Sequence, residues 1–181
     1  MAQGLTSLWH RLRATLRLGS YKTEKEYLMI ELLDTNDSRA VRNKDTILGL
    51  YETMINQKQP KEAVAKYVSP AYIQHNPLIA DGPDALAGWV SALTAERVSA
   101  RVVVHRIIAV GDYVWAHVNF LNIANDDPQD TGLAIVDIFR MDDDGKAAEH
   151  WDVLQVVGDP KTNAAPFFAP NVPAANPNGV I

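Results

Sequence analysis

The chain has 181 residues, and 47% of them are hydrophobic, which is enough apolar material for one globular domain with a core. Its net charge is −5 and no basic stripe runs along its body, so we expect no nucleic-acid partner. The absence of cysteine excludes disulfides, thiolate metal sites and a cysteine nucleophile. No apolar run reaches the roughly 18 residues of a membrane-spanning helix, and we expect a cytoplasmic protein.

The chain opens with a segment, residues 1–40, that we expect to be an amphipathic extension. Its first half is basic, and its apolar side chains recur at helical spacing: Leu5, Leu8, Trp9, Leu12 and Leu16. It lacks the apolar core of a secretory signal. The pattern favours an extra helix that packs on the domain or on a second subunit. Contact with a membrane surface and a transit-like leader are the less favoured alternatives.

Three helices are predicted next, over residues 43–57, 60–68 and 83–96. Asn43 is expected to cap the first helix, and Pro60 stands in the favoured first turn of the second. Between the second and third helices, prolines and a glycine interrupt the sequence "SPAYIQHNPLIADGP". This segment indicates a loop or a short strand rather than a helix.

Four strands follow, near residues 101–110, 113–123, 132–141 and 147–157. They are rich in β-branched and aromatic residues, and glycine-containing turns within two hairpins separate them. Helices first and antiparallel hairpins afterwards predict an α+β domain, with the helices on one face of a mostly antiparallel sheet. The proline- and asparagine-rich residues 160–181 are expected to form a tail.

The first hairpin allows two registers. A loop of glycine and aspartate alone pairs His117 with Arg106, whereas a loop that also includes Val110 pairs His117 with His105. Two facing histidines beside a carboxylate would suit a metal ion. The spacing has no metal-site signature, so we expect neither a metal nor another cofactor.

Two neighbouring strands place polar groups among apolar residues. The last strand contains "EHWD", and alternation puts His150 and Asp152 on one face and Glu149 and Trp151 on the other. A β-bulge beside the site would reverse this assignment. On the preceding strand, Asp137 lies between "LAIV" and "IF", where a carboxylate is unfavourable unless a function requires it.

Five segments in order resemble the SnoaL-like polyketide cyclase family, within the nuclear transport factor 2-like superfamily. They are the helical opening, "SPAYIQHNP", "DGPDALAGWV", "HRIIAVGDYVWAHV" and "DIFRMDDDGKAAEHWDVLQ". The resemblance covers residues 43–159 and predicts a SnoaL-like domain over residues 41–159. It implies a cone-shaped barrel, in which a curved, mostly antiparallel sheet and three helices enclose a pocket. Such proteins are often dimers.

The resemblance also implies roles for particular residues. In polyketide cyclases an aspartate of the final strand is the general acid/base of an aldol ring closure, and Asp152 matches that position. Asp137 matches a polar position that lines the pocket. The stretch Gln74, His75 and Asn76 matches polar residues at the pocket mouth. The pocket itself should be a largely apolar cavity of roughly a few hundred Å³, as small-molecule sites are.

We therefore expect a cofactor-independent enzyme that does acid/base chemistry on a small apolar carbonyl compound: aldol cyclisation, isomerisation, hydration or dehydration. Burial in an apolar pocket raises the pKa of a carboxyl group, which lets it exchange protons near neutral pH. Asp152 would be the acid/base, with His150 and Asp137 as its partners. The expected substrate contacts are Gln74, His75, Asn76, His117 and Trp89.

Two alternatives use the same fold. One is a non-catalytic module that binds a small ligand or dimerises. The other is epoxide hydrolysis, which in this superfamily needs an arginine between two aspartates. Arg140 lies on the opposite strand face from Asp137, which disfavours that reaction. Under each reading, an apolar outer sheet face that includes Trp115 or Trp151 predicts a homodimer formed through the sheet.

Overall fold

The computed structural model describes residues 28–159, 172–173, 175–176 and 181. The elements of this part are β1 (Ile30–Leu32), α1 (Ser38–Tyr51), α2 (Pro60–Tyr67), β2 (Val68–Gln74), α3 (Pro83–Glu96), β3 (Arg101–Val110), β4 (Tyr113–Leu121), β5 (Leu133–Met141) and β6 (Ala147–Val156). A π-helical turn, Glu52–Asn56, continues α1. The predicted helix near the start of the chain and most of the predicted tail lie outside the described residues.

The described strands join one six-stranded sheet, in the order β1-β3-β4-β5-β6-β2. The four central strands pair antiparallel, as predicted, and each edge strand pairs parallel with its neighbour. The sheet is curved and unclosed, and helices pack against it, so the predicted α+β cone is confirmed. Within the described part, no helix is both long enough and apolar enough to cross a membrane.

The core lies between the helices and the concave face of the sheet. Residues three and four positions apart share one face of a helix, so each helix turns an apolar stripe inward. Alternate residues of each strand face the same space. Both layers contribute fully buried side chains, among them Ile47, Ile55, Val90, Ile107, Val114, Val118 and Met141. This packing sets the positions of the strands that carry the candidate site.

The first helix begins earlier than the sequence predicted. Asp37 caps it, because its carboxylate accepts hydrogen bonds from the backbone N–H groups of Arg39 and Ala40. The predicted cap, Asn43, is fully buried within α1, and its side-chain amide donates to the carbonyl oxygen of Gly111 at 3.1 Å. The prediction was wrong because this asparagine links α1 to the turn between β3 and β4, a role that local sequence does not distinguish from capping.

Both edge strands were poorly delimited by the sequence. β1 is a three-residue strand that attaches part of the predicted extension to β3. β2 decides between the loop and the short strand that the sequence allowed, since residues Val68–Gln74 form a strand beside β6. Short, half-exposed edge strands carry little apolar alternation, so their sequence signal is weak.

The first hairpin combines the two registers that the sequence left open. Near the turn Arg106 pairs with His117, whereas further along the strands Val104 pairs with Val118. The register shifts between these pairs, at His105. His105 and His117 are therefore not a ladder pair, although their ring centroids lie 6.1 Å apart.

The second hairpin also contains a register shift, between Arg140 and Met141. The shift comes before the "EHWD" residues and leaves their predicted facing unchanged. Asp137 pairs directly with Asp152 across the β5–β6 ladder. Because paired residues point to the same side of a sheet, the two carboxylates lie together.

Candidate active site

A cavity of about 110 Å³ lies between the sheet and the helices. Its wall is mostly apolar and includes Leu86, Trp89 and Phe120. Polar side chains from α1, β2, the loop after β2, β5 and β6 also line it: Tyr51, Tyr72, Gln74, Asn76, Asp137, His150 and Asp152. The cavity is smaller than the few hundred Å³ that we expected, since large side chains from both layers fill part of the cone.

Asp137 and Asp152 form the centre of the polar group. Asp137 is only 4% exposed, and Asp152 is half-buried. Ligand-type atoms of Asp137, Asp152 and His150 all lie within 4.8 Å of one another. The strand pairing thus brings two carboxylates and an imidazole together on the concave face.

Asp137 is held from both sides. The hydroxyl of Tyr51, at the end of α1, donates a short hydrogen bond to its Oδ2 atom. Nε2 of His150 lies 3.1 Å from its Oδ1 atom. Burial, followed by the charge of Asp137, raises the pKa of Tyr51 well above its ordinary value, so Tyr51 remains a protonated donor. Both oxygens of Asp137 are therefore engaged within the protein.

The side-chain amide of Gln74 fixes the hydrogen-bond direction across the site. Its Oε1 atom lies 2.9 Å from the backbone N–H of Asn76, which can only donate, so this atom is the amide oxygen. The same oxygen lies 3.0 Å from Nδ1 of His150, which must therefore carry a hydrogen. The opposite ring nitrogen, Nε2, lies within hydrogen-bonding distance of Asp137 Oδ1.

Asn76 orients the second carboxylate by the same logic. Its Oδ1 atom accepts the backbone N–H of Leu78 at 2.9 Å, which turns its Nδ2 atom the other way. Nδ2 donates to Oδ2 of Asp152 at 2.6 Å. Asp152 thus has one oriented oxygen while its carboxylate faces a mostly apolar cavity. This is the geometry expected of a positioned acid or base.

Tyr72 completes the polar end of the cavity. It is 4% exposed, and its hydroxyl oxygen lies 3.0 Å from Nε2 of Gln74. Burial, with the negative charges of Asp137 and Asp152 adding to it, raises the pKa of the Tyr72 phenol. Tyr72 therefore stays neutral at physiological pH.

His75 lies on the other side of the sheet from the cavity. Gln74 and Asn76 turn inward, so the residue between them turns outward. Its Nε2 atom lies 2.8 Å from Oε1 of Glu149, and its ring stacks on Trp151 with the centroids 4.6 Å apart. The structure therefore does not bring His75, one of the expected substrate contacts, to the cavity.

His117 also lies on the outer face. It alternates with the buried Ala116 and Val118 along β4, and its Nδ1 atom lies 2.8 Å from Nη1 of Arg106. His117, another of the expected substrate contacts, is therefore not among the residues that line the cavity. The other expected contacts, Gln74, Asn76 and Trp89, all line the cavity.

Glu149 contacts two basic side chains on the outer face. Its carboxylate contacts Nε2 of His75 at 2.8 Å and Nε of Arg140 at 2.7 Å. The hydrogen bond from His75, followed by that from Arg140, lowers the pKa of Glu149. Arg140 therefore lies away from Asp137, as alternation predicted, and an arginine between two aspartates does not occur at this place.

A metal ion, were one to bind, would use Asp137, His150 and Asp152. These three offer the oxygen and nitrogen ligands that several divalent transition metals accept. Nδ1 of His150 is turned to Gln74, so His150 could ligate only through Nε2. An ion there would have to break the contact between Nε2 and Asp137.

Sequence reasoning missed both tyrosines of the site. Tyr51 lies in the first predicted helix and Tyr72 in the segment expected to be a loop or a short strand, and the sequence indicates a role in the site for neither. A buried phenol needs a hydrogen-bond partner, so a tyrosine on a core-facing position signals a polar group opposite it. That signal does not identify the partner, because Asp137 lies 86 positions from Tyr51 in the sequence.

The sequence profile of the SnoaL-like domain matches residues 47–150. This range runs from α1 into β6 and includes each polar residue of the cavity named above except Asp152, which lies just beyond its end. No curated protein shows significant similarity to the chain.

Solved structures share the fold. A candidate polyketide cyclase of Bacillus cereus superposes with a TM-score of 0.58 at 17% identity, over 78% of this chain and 91% of that one. A candidate SnoaL-like polyketide cyclase of a Jannaschia species gives a TM-score of 0.56 at 16% identity, over 68% and 92%. An NTF2-like protein of unknown function from Mesorhizobium loti gives 0.53 at 15% identity, over 66% and 95%. At these identities the likeness concerns the fold.

Proposed function

The chain belongs to the SnoaL-like domain family, and we propose that it is a cofactor-independent enzyme whose Asp152 does acid/base chemistry on a small apolar carbonyl compound. One observation carries this proposal. The Asp152 carboxylate, oriented by the Asn76 amide, faces a mostly apolar cavity and lies beside a second carboxylate, Asp137, whose Oδ1 atom lies 3.1 Å from Nε2 of His150.

Asp152 suits the role of acid/base better than Asp137. Both oxygens of Asp137 already contact hydrogen-bonding groups of the protein. Asp152 is half-buried and receives the Asn76 amide on one oxygen, so its carboxylate is accessible to a ligand in the cavity. Asp152 removes a proton from the carbon next to a carbonyl and returns it elsewhere. Aldol closure, isomerisation and dehydration all begin with this step.

The cavity limits the size of the compound. An engineered apolar cavity of about 150 Å³ binds benzene, so a cavity of about 110 Å³ suits a single small ring or a short chain. Fused polycyclic compounds do not fit without movement of the wall. Leu86, Trp89 and Phe120 supply apolar contact, which favours an apolar body around the carbonyl group.

The two carboxylates also weigh against the alternative of a simple binding module. A site that only holds an apolar ligand gains nothing from buried carboxylates, whose desolvation is costly. Asp137 is retained at 4% exposure with a dedicated network of Tyr51 and His150. Such a network supports a role in proton transfer.

We further propose that the protein acts as a homodimer formed through the outer face of the sheet. Ile108 and Trp115 face each other across the β3–β4 ladder and are 39% and 47% exposed. Val110 and Tyr113 form the next pair on this face and are 69% and 44% exposed. Contiguous apolar surface of this kind is characteristic of an association site.

The proposed chemistry is tested by proton exchange. The protein is incubated in D₂O with a panel of small cyclic ketones and enones, including cyclopentanone, and deuterium incorporation next to the carbonyl is followed by NMR. The wild-type protein should accelerate exchange, and Asp152→Asn should lose about 10²–10⁴-fold of that acceleration.

The matched control is Asp143→Asn, the same chemical change on the exposed turn between β5 and β6. It should exchange at the wild-type rate. Equal rates for Asp152→Asn and Asp143→Asn would refute the assignment of Asp152 and favour the binding module.

A further inference from the structure

We propose that Tyr72 donates the hydrogen bond that holds the carbonyl oxygen of the substrate, while Asp152 acts on the carbon next to the carbonyl of the same compound. This inference rests on the proposed acid/base function and adds a catalytic residue to it. Tyr72 was not among the substrate contacts that the sequence predicted.

The direction of the hydrogen bond between Gln74 and Tyr72 shows that the Tyr72 hydroxyl acts as an acceptor there. The backbone N–H of Asn76 fixes Oε1 of Gln74 as the amide oxygen, which makes Nε2 the amide nitrogen. That nitrogen has hydrogens and no lone pair available to accept, so the hydroxyl oxygen of Tyr72 must accept from it at 3.0 Å. The hydroxyl hydrogen of Tyr72 is therefore left to point elsewhere.

Tyr72 lines the cavity, so a ligand there is within reach of that hydrogen. The other hydroxyl among the lining residues belongs to Tyr51 and is donated to Asp137. Asn76 directs its amide to Asp152. Of the two phenols in the cavity, Tyr72 is thus the one whose donor is not committed to a carboxylate of the site.

The chemistry balances without a co-reactant. Asp152 takes a proton from the carbon next to the carbonyl, so a C–H bond breaks and an O–H bond forms on the carboxylate. The electron pair moves into the carbonyl group, and negative charge develops on its oxygen. A donor placed at that oxygen binds it more tightly as the charge grows, which lowers the barrier. Asp152 then returns the proton, and the charge on the oxygen disappears.

Tyr72 keeps its own proton throughout. Burial and the nearby carboxylates raise its pKa, so it donates a hydrogen bond without transferring the proton. The same carboxylates disfavour an anionic ligand, because like charges repel strongly in a site of low dielectric constant. The substrate class that fits is therefore a neutral ketone or enone, and not a carboxylic acid or a phosphate ester.

The test uses the carbonyl stretch of ¹³C-labelled cyclopentanone, measured by infrared difference spectroscopy on the bound probe. A hydrogen bond to the oxygen weakens the C=O bond and lowers its stretching frequency. The wild-type protein should lower the frequency, and Tyr72→Phe should abolish this shift. With a ketone that the protein converts, Tyr72→Phe should also lower kcat by about 10²–10³-fold. This is the usual effect of removing one hydrogen-bond donor to an oxygen on which negative charge develops.

Gln74→Glu provides a second variant that retains the phenol. A carboxylate at this position accepts at both oxygens, so the Tyr72 hydroxyl would donate to it and turn away from the ligand. The carbonyl shift should disappear in Gln74→Glu as it does in Tyr72→Phe. Tyr113→Phe is the matched control, because it makes the same chemical change at a tyrosine on the outer face of the sheet, and it should retain the shift.

The outcomes separate this inference from the proposed reaction. A frequency that is the same in Tyr72→Phe as in the wild-type protein would overturn the role of Tyr72, even if Asp152 proves catalytic. A shift that needs Tyr72 and persists in Asp152→Asn would support the donor, even if no ketone exchanges its protons.

Discussion

Each face of the sheet has a carboxylate–histidine pair, and the two pairs differ in how far solvent reaches them. On the concave face, Asp137 contacts His150 at 3.1 Å, and their side chains are 5% and 11% exposed. On the outer face, Glu149 contacts His75 at 2.8 Å, and their side chains are 17% and 40% exposed. His150 and Glu149 are consecutive residues of β6. Strand alternation alone therefore places one carboxylate–histidine pair in the cavity and the other on the outer surface.

The two pairs differ in whether water can replace their hydrogen bonds. If the outer pair breaks, solvent takes over its hydrogen bonds, and such exposed pairs contribute about 0–1 kcal/mol. If the inner pair breaks, the buried partner is left without compensation. The inner groups also face a cavity that can exclude water from a bound compound, which strengthens electrostatic interactions there. Chemistry is therefore expected from one face and association from the other.

The largest expected effect compares Asp152→Asn with Glu149→Gln. Both remove one negative charge from β6 with little change of shape. Asp152→Asn should lower turnover by about 10²–10⁴-fold, whereas Glu149→Gln should change it by no more than about threefold. Steady-state kinetics measure the two rates, and circular dichroism should show that both variants remain folded. A large loss in Glu149→Gln would remove the distinction between the faces.

Removing a carboxylate from the concave face should also destabilise the protein more than removing one from the outer face. Asp137→Ala leaves Tyr51 and His150 without their buried partner and should cost about 3–5 kcal/mol of unfolding free energy. Glu149→Ala removes an exposed pair and should cost less than about 1 kcal/mol. Urea unfolding followed by fluorescence gives both values. Similar costs for the two variants would contradict the contrast.

Association should depend on the outer face alone. Trp115→Glu places a charge in the apolar patch and should convert a dimer into a monomer of 20.0 kDa, as measured by sedimentation. Trp89→Phe, a change in the cavity wall, is the control and should leave the mass unchanged. A monomeric wild-type protein at micromolar concentration would rule out the proposed dimer.

The smallest expected effect concerns pH and His105. Burial, followed by the charges of His117 and Arg106, lowers the pKa of His105 to about 4 in the folded protein. The unfolded chain keeps an ordinary histidine pKa of about 6.5 and therefore binds a proton that the folded protein rejects. The unfolding free energy should consequently fall as the pH drops from about 6.5 toward 4.

His105→Gln should remove part of this dependence, on the order of 1 kcal/mol, because the residue is half-exposed and solvent screens it. Urea unfolding at a series of pH values measures the change. His75→Gln is the control on the same outer face. If the unfolding free energy of His105→Gln changes between about pH 6.5 and 4 just as that of the wild-type protein does, His105 is not the group responsible.

Much of the fold could be predicted from sequence because regular alternation and turn residues determine it. The predicted strands near residues 101–110, 113–123, 132–141 and 147–157 agree with β3 to β6 within two residues. The facing of His150 and Asp152 follows from alternation, since the register shift falls before them. β1 was missed because a three-residue, half-exposed strand has almost no pattern of its own.

The candidate site was only partly predictable, because its hydrogen bonds join distant segments. Gln74 and His150 lie 76 positions apart, and so do Asn76 and Asp152. No local pattern indicates that Tyr51 approaches Asp137, or that His75 turns outward to Glu149. Residue type suggested which groups could react, and tertiary pairing decided which of them meet.

The central claim is that the concave face binds a carbonyl compound between Tyr72 and Asp152. A crystal structure of the complex with cyclopentanone tests it most directly. We predict that the ketone occupies the cavity. Its oxygen should lie within hydrogen-bonding distance of the Tyr72 hydroxyl, and a carbon next to the carbonyl group should lie against the Asp152 carboxylate. A ketone bound in the cavity with its oxygen turned away from Tyr72 and its ring away from Asp152, or bound only on the outer face, would contradict the account.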